Sequence, residues 1–285
     1  MTDHAAVEFQ HVSYTYPGAD APAIEDVTLR VEPGERLGVL GPNGGGKSTL
    51  IKIALGLLRG YSGRVLVHGQ PPERARRSGI IGYVPQRCEA ALMFPISVRQ
   101  VVEMGAVARQ KPWRTTSDEV RDRVQRCIEL VGAGAFVDKP IGEISGGQLQ
   151  RAMIARALAA NPKILALDEP TVGIDAVGQR GFAELLDTLH EELKLSILIV
   201  SHDVRVVAAG CDRVACMART LHFHDAPGGL TPQVLAEVFR HDVSSVFGDL
   251  HIDAHAADDC PGDHVHAPTA SGARNEGADD HEGRV

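Results

Sequence analysis

The chain has 285 residues, of which 44% are hydrophobic and 23% charged, so it is long enough for one sizeable domain, alone or with an appendage. Its formal net charge of −8 argues against nucleic acid as the main partner, because phosphate binding favours a basic face. The longest apolar runs, such as 197–200, are too short to span a bilayer of about 30 Å, and no secretory signal is visible, so we expect the protein in the cytoplasm.

Strand patterns dominate the first 40 residues, at 7–9, 24–31 and 36–40, with Pro-Gly turns between them. After Gly41 the apolar spacing becomes helical, with apolar residues at Leu50, Ile51, Ala54, Leu55 and Leu58. Residues 116–119 have capping-box spacing and predict a further helix that Gly132 can close. Its apolar face carries Val120, Val124, Ile128 and Val131.

A phosphate-binding loop is predicted between the third strand and the first helix. Its pattern is G-x-x-x-x-G-K-[ST], formed by Gly41, Pro42, Asn43, Gly44, Gly45, Gly46, Lys47, Ser48 and Thr49. Glycines allow backbone N–H groups to converge on phosphate oxygens, and the helix N-terminus adds its positive end. We expect Lys47 to reach the β- and γ-phosphates of ATP and the Ser48 hydroxyl to coordinate Mg²⁺. A plain glycine-rich turn is the alternative, and the strand–loop–helix context disfavours it.

Two adjacent carboxylates follow a buried strand at 164–167. Ligands of open α/β sheets bind at the carboxyl ends of strands, so Asp168 suits the Mg²⁺ shell and Glu169 suits activation of the attacking water. An amphipathic helix follows, with apolar residues at Phe182, Leu185, Leu186, Leu189 and Leu193, and then a second buried strand at 196–200. Strands that alternate with helices predict an α/β domain with a mostly parallel central sheet.

Residues 249–285 differ in composition from the rest, since they lack aromatic residues and are rich in Asp, His, Gly and Ala. We predict that these residues form a disordered tail. Its histidines are either incidental or part of a weak Zn²⁺ site. The potential ligands are His251, Asp253, His255, Asp258, Asp259, Cys260, Asp263, His264, His266 and His281.

The segment Ile144-Ser145-Gly146-Gly147-Gln148 leads into a helix expected to begin near Leu149. It resembles the signature motif of ABC ATPases, with Ile144 where that family usually has Leu; a plain helix cap is the alternative. The order of phosphate loop, signature, Asp-Glu pair and 201–203 favours the resemblance, which covers about residues 5–245. It implies an α/β, ABC-type P-loop ATPase with a RecA-like core. An N-terminal antiparallel β subdomain and a helical signature subdomain at about 88–160 complete the implied fold.

Further roles follow from this resemblance. Tyr16 looks like the aromatic residue that stacks on adenine, whereas Tyr14 is more typical of a strand residue. Gln86 looks like the glutamine that senses Mg²⁺ and the attacking water, and His202 like the histidine that contacts the γ-phosphate. Asp175 fits the loop that touches the opposite subunit, although the residues before it differ from the family's usual Ser-Ala-Leu.

The resemblance also implies partners. In this family the signature and the phosphate loop meet across a head-to-tail homodimer, so Ser145 and Gly147 would touch ATP held by Lys47 of the other subunit. The ATPase would be peripheral on the cytoplasmic face of the membrane through an integral-membrane permease. An extracytoplasmic solute-binding protein would belong to the same system.

Within the family the chain most resembles ATPases of zinc- and manganese-type importers, on the segments 94–105, 169–175 and the short region after Thr231. The runner-up is an importer of ferric chelates or cobalamin. A soluble ABC ATPase acting on nucleic acid would typically carry a coiled-coil insertion or two ATPase units, and this chain shows neither. A non-catalytic homologue should have lost Lys47 or Glu169, and both are present.

Overall fold

The computed structural model describes residues 4–86, 95–108, 110, 117–171 and 176–239. The chain divides into two units, Met1–Gly248 and Asp249–Val285, and the second lies outside the described residues. The predicted tail, its Zn²⁺ ligands and Asp175 therefore stay predictions, as do the domain boundaries.

The secondary structure alternates as the sequence predicts. The strands are β1 Val7–Tyr14, β2 Ile24–Val31, β3 Arg36–Leu40, β4 Ser62–Val67, β5 Ile81–Val84, β6 Ile164–Asp168, β7 Ser196–Ser201, β8 Arg213–Ala218 and β9 Thr220–Asp225. The helices are α1 Lys47–Ala54, α2 Pro72–Ser78, α3 Val98–Val107, α4 Asp118–Leu130, α5 Gly146–Ala159, α6 Ala176–Leu193, α7 Val204–Gly210 and α8 Pro232–Phe239. None of the described helices combines the length and the apolar character needed to cross a bilayer.

Two sheets form the frame. An antiparallel sheet has the strand order β2-β1-β4, and a six-stranded sheet has the order β5-β6-β7-β3-β8-β9. In the larger sheet every pairing is parallel except that of β8 with β9. Strands β6 and β7 are buried along their whole length, as expected for parallel strands covered on both faces. The predicted parallel core and antiparallel N-terminal sheet are thus confirmed.

The register of the parallel strands places three chain segments at one edge of the sheet. Leu40 at the end of β3 pairs with Ser201 at the end of β7, and Asp168 at the end of β6 pairs with Val200. The residues that follow these strand ends are the phosphate loop, Glu169 and His202. Strand pairing alone therefore gathers the predicted site residues at the carboxyl edge.

Three helices form a separate layer that carries the signature segment. Helix α3 crosses α5 closely, because a Cβ atom at Gly105 would lie 2.0 Å from the carbonyl oxygen of Arg156. The apolar face of α4, including Val120, Val124 and Ile128, is buried in the same core cluster as the inner residues of α5 and of the central sheet. The predicted helix after residue 117 and its closing Gly132, with φ of 66°, are confirmed.

Some predicted helix ends are wrong. Helix α4 begins after Ser117, whose side chain makes no capping hydrogen bond, and Thr116 of the expected capping box lies outside the described residues. Helix α5 begins at Gly146 instead of near Leu149, because Ser145 and Gln148 form a capping box there. Helix α1 ends at Ala54, and Leu58 packs from the connection that follows.

Candidate active site

The loop between β3 and α1 lies against the backbone of β8. A Cβ atom at Gly41 would lie 2.0 Å from the carbonyl oxygen of Met217, and one at Gly46 would lie 2.5 Å from that of Ala23. Gly46 also has φ of 93°, so these two positions require glycine by contact and, at Gly46, by conformation. Gly46 is the N-cap of α1, and no described side chain caps this helix. Its first N–H groups are therefore available to an anion.

A cavity of about 410 Å³ opens beside this helix N-terminus. It brings the phosphate loop together with Tyr16, Gln86 and Glu169, which come from three other parts of the chain. The lining residues are Tyr16, Ala23, Asn43, Gly44, Gly45, Gly46, Lys47, Ser48, Thr49, Gln86 and Glu169. Most of the residues predicted from the sequence to hold the nucleotide thus share one cavity.

Tyr16 is held at the rim of the cavity by two contacts. Its hydroxyl lies 3.2 Å from Oγ1 of Thr49, and its ring packs edge-to-face against Tyr14 at 5.0 Å between centroids. Tyr14 ends β1 and is buried, as expected of a strand residue, whereas Tyr16 is 37% exposed. The exposed aromatic face at the cavity rim is therefore that of Tyr16.

Lys47 is a buried cation surrounded by oxygen atoms. Its side chain is 5% exposed, and Nζ donates to the carbonyl oxygens of Gly41 at 2.8 Å and Pro42 at 2.9 Å. Nζ also lies 3.6 Å from Oε1 of Glu169. Burial lowers the pKa of Lys47, and the nearby Glu169 carboxylate offsets this in part. An anion bound at the loop would stabilise this desolvated ammonium group.

Asp168 receives two hydroxyl hydrogen bonds, one on each oxygen. Ser48 Oγ donates to Oδ1 at 3.0 Å, and the Tyr83 hydroxyl donates to Oδ2 at 3.3 Å. Burial raises the pKa of Asp168, while the hydrogen bonds from Ser48 and Tyr83 oppose that rise. A buried hydroxyl–carboxylate pair with incompletely compensated charge suits Mg²⁺, which prefers hard oxygen ligands. The observed donor set therefore fits the ion that the sequence predicts.

Glu169 is fixed between two partners and has an unusual backbone conformation. It is 6% exposed, has φ of 49°, and its N–H donates to the carbonyl oxygen of Val200 at 2.8 Å. Its Oε2 lies 2.7 Å from Nδ1 of His202, whose side chain is 45% exposed. Left-handed backbone at a non-glycine residue costs about 1–2 kcal/mol and is found where function requires a fixed side chain.

The signature segment presents its N-terminal end to solvent. Ser145 Oγ accepts from the N–H of Gln148 at 3.3 Å, and Gln148 Oε1 accepts from the N–H of Ser145 at 3.0 Å. Ser145 and Gly146 are exposed, and a Cβ atom at Gly147 would meet nothing within 4 Å. Among the described residues that line the cavity, none belongs to 144–148. The chain does not bring its own signature to its own phosphate loop.

Sequence reasoning missed Tyr83 and Ala23. Tyr83 reaches Asp168 because β5 and β6 are neighbouring parallel strands, with Tyr83 paired to Ala166. The sequence of β5 does not indicate which strand lies beside it. Ala23 lines the cavity and its carbonyl oxygen approaches Gly46, a contact that no local pattern indicates.

Comparisons with known proteins agree with this geometry. The family profile described as "ABC transporter" matches residues 24–172. The chain is 40% identical over 74% of its length to the manganese transport system ATP-binding protein MntA of Synechocystis, of which it covers 80%. It is 37% identical over 82% of its length to the zinc import ATP-binding protein ZnuC of Paramagnetospirillum magneticum, of which it covers 84%.

The fold comparison leads to the same family. A solved structure of cbiO1 from Clostridium perfringens, described as part of an ABC transporter complex, matches with a TM-score of 0.71 and 32% identity. The match covers 84% of this chain and 92% of that one. The predicted fold class, a P-loop ATPase with an antiparallel β sheet and a helical layer, is confirmed. The chain belongs to the ATP-binding proteins of the ABC transporter family.

Proposed function

We propose that this chain hydrolyses ATP at the described cavity to power import of a divalent transition metal, zinc or manganese. The observation that carries the ATPase is the buried Glu169, fixed by Lys47 and His202 beside the uncapped N-terminus of α1. The cargo is supported by the manganese and zinc transport proteins to which the chain is similar.

ATP is the substrate, and each part of the cavity suits one part of it. Tyr16 offers an exposed aromatic face to the base. The N–H groups at the start of α1 and the Lys47 ammonium suit the phosphates. Ser48 and Asp168, together with Gln86, would hold Mg²⁺, which neutralises phosphate charge when bound.

Glu169 is the general base in this proposal. His202 contacts Oε2 at 2.7 Å, whereas Lys47 Nζ lies 3.6 Å from Oε1, beyond hydrogen-bond distance. Oε1 is therefore the carboxylate oxygen better placed to take a proton from the attacking water. The same hydrogen bond fixes the plane of the carboxylate, since the backbone of Glu169 is itself tied to β7. Lys47 offers a preorganised positive charge where negative charge develops on the phosphate.

A second copy of the chain completes the site. The N-terminal end of α5, with Ser145 exposed and Gly147 half-buried, suits phosphate held by the Lys47 of that copy, since anions bind at helix N-termini. The Ser145 oxygen already accepts from Gln148, which leaves its hydroxyl hydrogen to be donated to ATP.

We propose that the dimer sits on an integral-membrane permease at the cytoplasmic face. A solute-binding protein would deliver cargo from the other side.

Crosslinking tests the dimer. Asn43 and Glu143 are exposed residues beside the phosphate loop and the signature, so Asn43→Cys and Glu143→Cys place thiols at both. In protein that also carries Glu169→Gln, which should keep ATP bound, crosslinks should form between chains and increase with ATP. Crosslinks found only within single chains would refute the head-to-tail arrangement.

Metal uptake tests the cargo separately. Cells that lack the chromosomal gene should accumulate radioactive Zn²⁺ or Mn²⁺ when the wild-type chain is restored, but not when Lys47→Ala replaces it. ATP-dependent uptake of a ferric chelate or cobalamin, with no change for either divalent ion, would favour the runner-up cargo and leave the ATPase intact.

A further inference from the structure

Arg151 connects helix α5, on which it lies, to the end of α4 and to α6 through two hydrogen bonds. It lies on α5, six residues after Ser145, which is about 9 Å along a helix. Its Nη1 donates to the carbonyl oxygen of Val131 at 2.7 Å, and its Nη2 donates to that of Gly181 at 3.3 Å. Val131 directly follows α4, and Gly181 lies in α6.

Both contacts use carbonyl oxygens in a way that suits an arginine. The Val131 carbonyl is at a helix C-terminus, where the last carbonyls lack helical partners and a cation is favourable. The Gly181 carbonyl is inside α6, so Arg151 is a second donor to it in addition to the helical N–H. The planar guanidinium can serve two acceptors at once, whereas a lysine ammonium is a single compact charge.

The chain leaves room for this guanidinium at both ends. A Cβ atom at Gly181 would lie 3.4 Å from Nη2, and one at Gly132 would lie 3.5 Å from Nη1. Glycine inside a helix such as α6 is unfavourable by about 1 kcal/mol relative to alanine. A Cβ atom at Gly181 would be in ordinary van der Waals contact with Nη2, and a longer side chain would press on the guanidinium.

We infer that Arg151 is a positioning residue that sets the signature end of α5 relative to α6, the helix that begins seven residues after Glu169. This inference rests on the proposed head-to-tail dimer, in which the signature serves the ATP of the other copy. A change in one subunit at Arg151 therefore weakens the site that this subunit completes in its partner. The cavity that holds its own ATP does not include Arg151.

The test compares Arg151→Met with Arg123→Met in full-length protein carrying Glu169→Gln. Arg123 also joins α4 to α5, since its Nε donates to the carbonyl oxygen of Ala159 at 3.0 Å. Among the hydrogen bonds of the described residues, Arg123 makes none to α6. For Arg151→Met, ATP binding should stay within about twofold of wild type, as for sites without shared partners. ATP-driven dimer formation, followed by size-exclusion chromatography, should require about tenfold more ATP, within the range of measured couplings between sites. Arg123→Met should change neither quantity.

Subunit mixing separates a positioning role from a general loss of structure. In chains with native Glu169, a dimer of Arg151→Met with Lys47→Ala keeps one composite site with an intact phosphate loop and an intact signature. A dimer of wild type with the double variant Arg151→Met/Lys47→Ala keeps none. When each heterodimer is purified through a different affinity tag on each subunit, only the first should exceed the ATPase rate of the Arg151→Met homodimer. Equal rates in the two purified heterodimers, or wild-type dimer formation by Arg151→Met, would overturn the inference.

Two controls keep the result interpretable. If Arg151→Met does not fold, Arg151→Lys retains the charge and one donor, and it should show the same pattern in weaker form; wild-type dimer formation by Arg151→Lys would then overturn the inference. Ser145→Arg serves as the control for the dimer itself. If Ser145→Arg blocks ATP-driven dimer formation and Arg151→Met does not, the positioning role of Arg151 is wrong but the head-to-tail dimer stands. If neither variant blocks dimer formation, the proposed head-to-tail dimer is wrong as well.

Discussion

Glu169 and His202 are joined by a 2.7 Å contact between Oε2 and Nδ1, and the backbone fixes this pair before any ligand is bound. Asp168 pairs with Val200 across the parallel strands β6 and β7, and the N–H of Glu169 donates to the carbonyl oxygen of Val200. The sheet therefore places both side chains at adjacent strand ends. A base whose position is set by strand pairing does not need to be reorganised during the reaction.

Glu169→Gln should abolish the proton acceptor while keeping the shape of the site. Hydrolysis should fall by about 100-fold or more, the size of a general-base contribution. ATP binding should persist, because Lys47 and the loop are unchanged, and the protein should accumulate as an ATP-bound dimer. Phosphate release and size-exclusion chromatography measure both. Glu184→Gln, on the exposed side of α6, is the control, and hydrolysis at the wild-type rate by Glu169→Gln would contradict the assignment.

His202→Ala should misplace the base without removing it. We expect kcat to fall by about 100-fold, the loss that a misplacement of about 1 Å can cause, with little change in KM for ATP. Steady-state kinetics separate the two quantities. His222→Ala, at an exposed histidine of β9, should behave as wild type. A raised KM with unchanged kcat would instead place His202 in substrate binding.

The site residues at the carboxyl edge of the parallel sheet were predictable from the sequence, because their positions depend on local motifs and on the direction of the strands. Each motif directly follows a buried strand, and parallel strands present their carboxyl ends at one edge, so Lys47, Asp168 and His202 had to converge. Tyr83 was missed because its contact depends on β5 lying next to β6, and strand order is not encoded in the spacing of either strand. Arg151 was missed for the same reason, since Val131 and Gly181 are distant in sequence.

Helix ends were less predictable than the strands. Helix α4 begins after Ser117 without a capping hydrogen bond from that side chain, whereas Ser145 and Gln148 form a capping box at the start of α5. Side-chain capping competes with other hydrogen bonds that the pattern does not reveal.

Tyr83→Phe should weaken the hold on Mg²⁺ without removing a ligand. The hydroxyl donates to Oδ2 of Asp168 at 3.3 Å, so its loss leaves the carboxylate less well oriented. We expect the Mg²⁺ concentration for half-maximal hydrolysis to rise by about three- to tenfold, consistent with about 1 kcal/mol for one hydrogen bond. Binding of Mn²⁺ followed by electron paramagnetic resonance should show the same change. Tyr61→Phe is the control, and equal metal dependence in both variants would show that Tyr83 has no such role.

Zinc should slow ATP turnover if the C-terminal tail binds it. Imidazole, carboxylate and thiolate form the ligand set that Zn²⁺ prefers, and the tail contains all three. ATPase rates against buffered free Zn²⁺ should fall for the full-length chain but not for one ending at Gly248. A variant with serine at His251, His255, His264, His266 and His281 should also lose the response. Equal responses in all three proteins would leave the tail histidines without a role in zinc sensing.

Asp168→Asn should make the nucleotide-free protein more stable and inactive. Burial raises the pKa of Asp168, and the hydrogen bonds from Ser48 and Tyr83 only partly oppose this, so the folded protein holds the proton more tightly than the unfolded chain does. Above the unfolded pKa, about 3.9, the ionised carboxylate therefore destabilises the fold, and this destabilisation is complete once the pH exceeds the raised folded pKa. Asparagine keeps an oxygen acceptor for Ser48 without the charge. We expect Tm at pH 7 to rise by about 2–4 °C, the shift that about 1 kcal/mol produces in a domain of this size.

The pH dependence of this gain distinguishes charge from packing. The difference in Tm between Asp168→Asn and wild type should shrink as the pH falls through the raised pKa, because the wild-type carboxyl group then becomes neutral as well. Asp212→Asn is a control with the opposite sign. Burial alone would raise the pKa of Asp212, but hydrogen bonds from Arg36 outweigh this and lower it, so its ionised form stabilises the fold. Calorimetry should show a lower Tm for Asp212→Asn at pH 7. A lower Tm for Asp168→Asn as well would mean that the buried carboxylate stabilises the empty site, contrary to the electrostatic argument for a site preorganised to receive a cation.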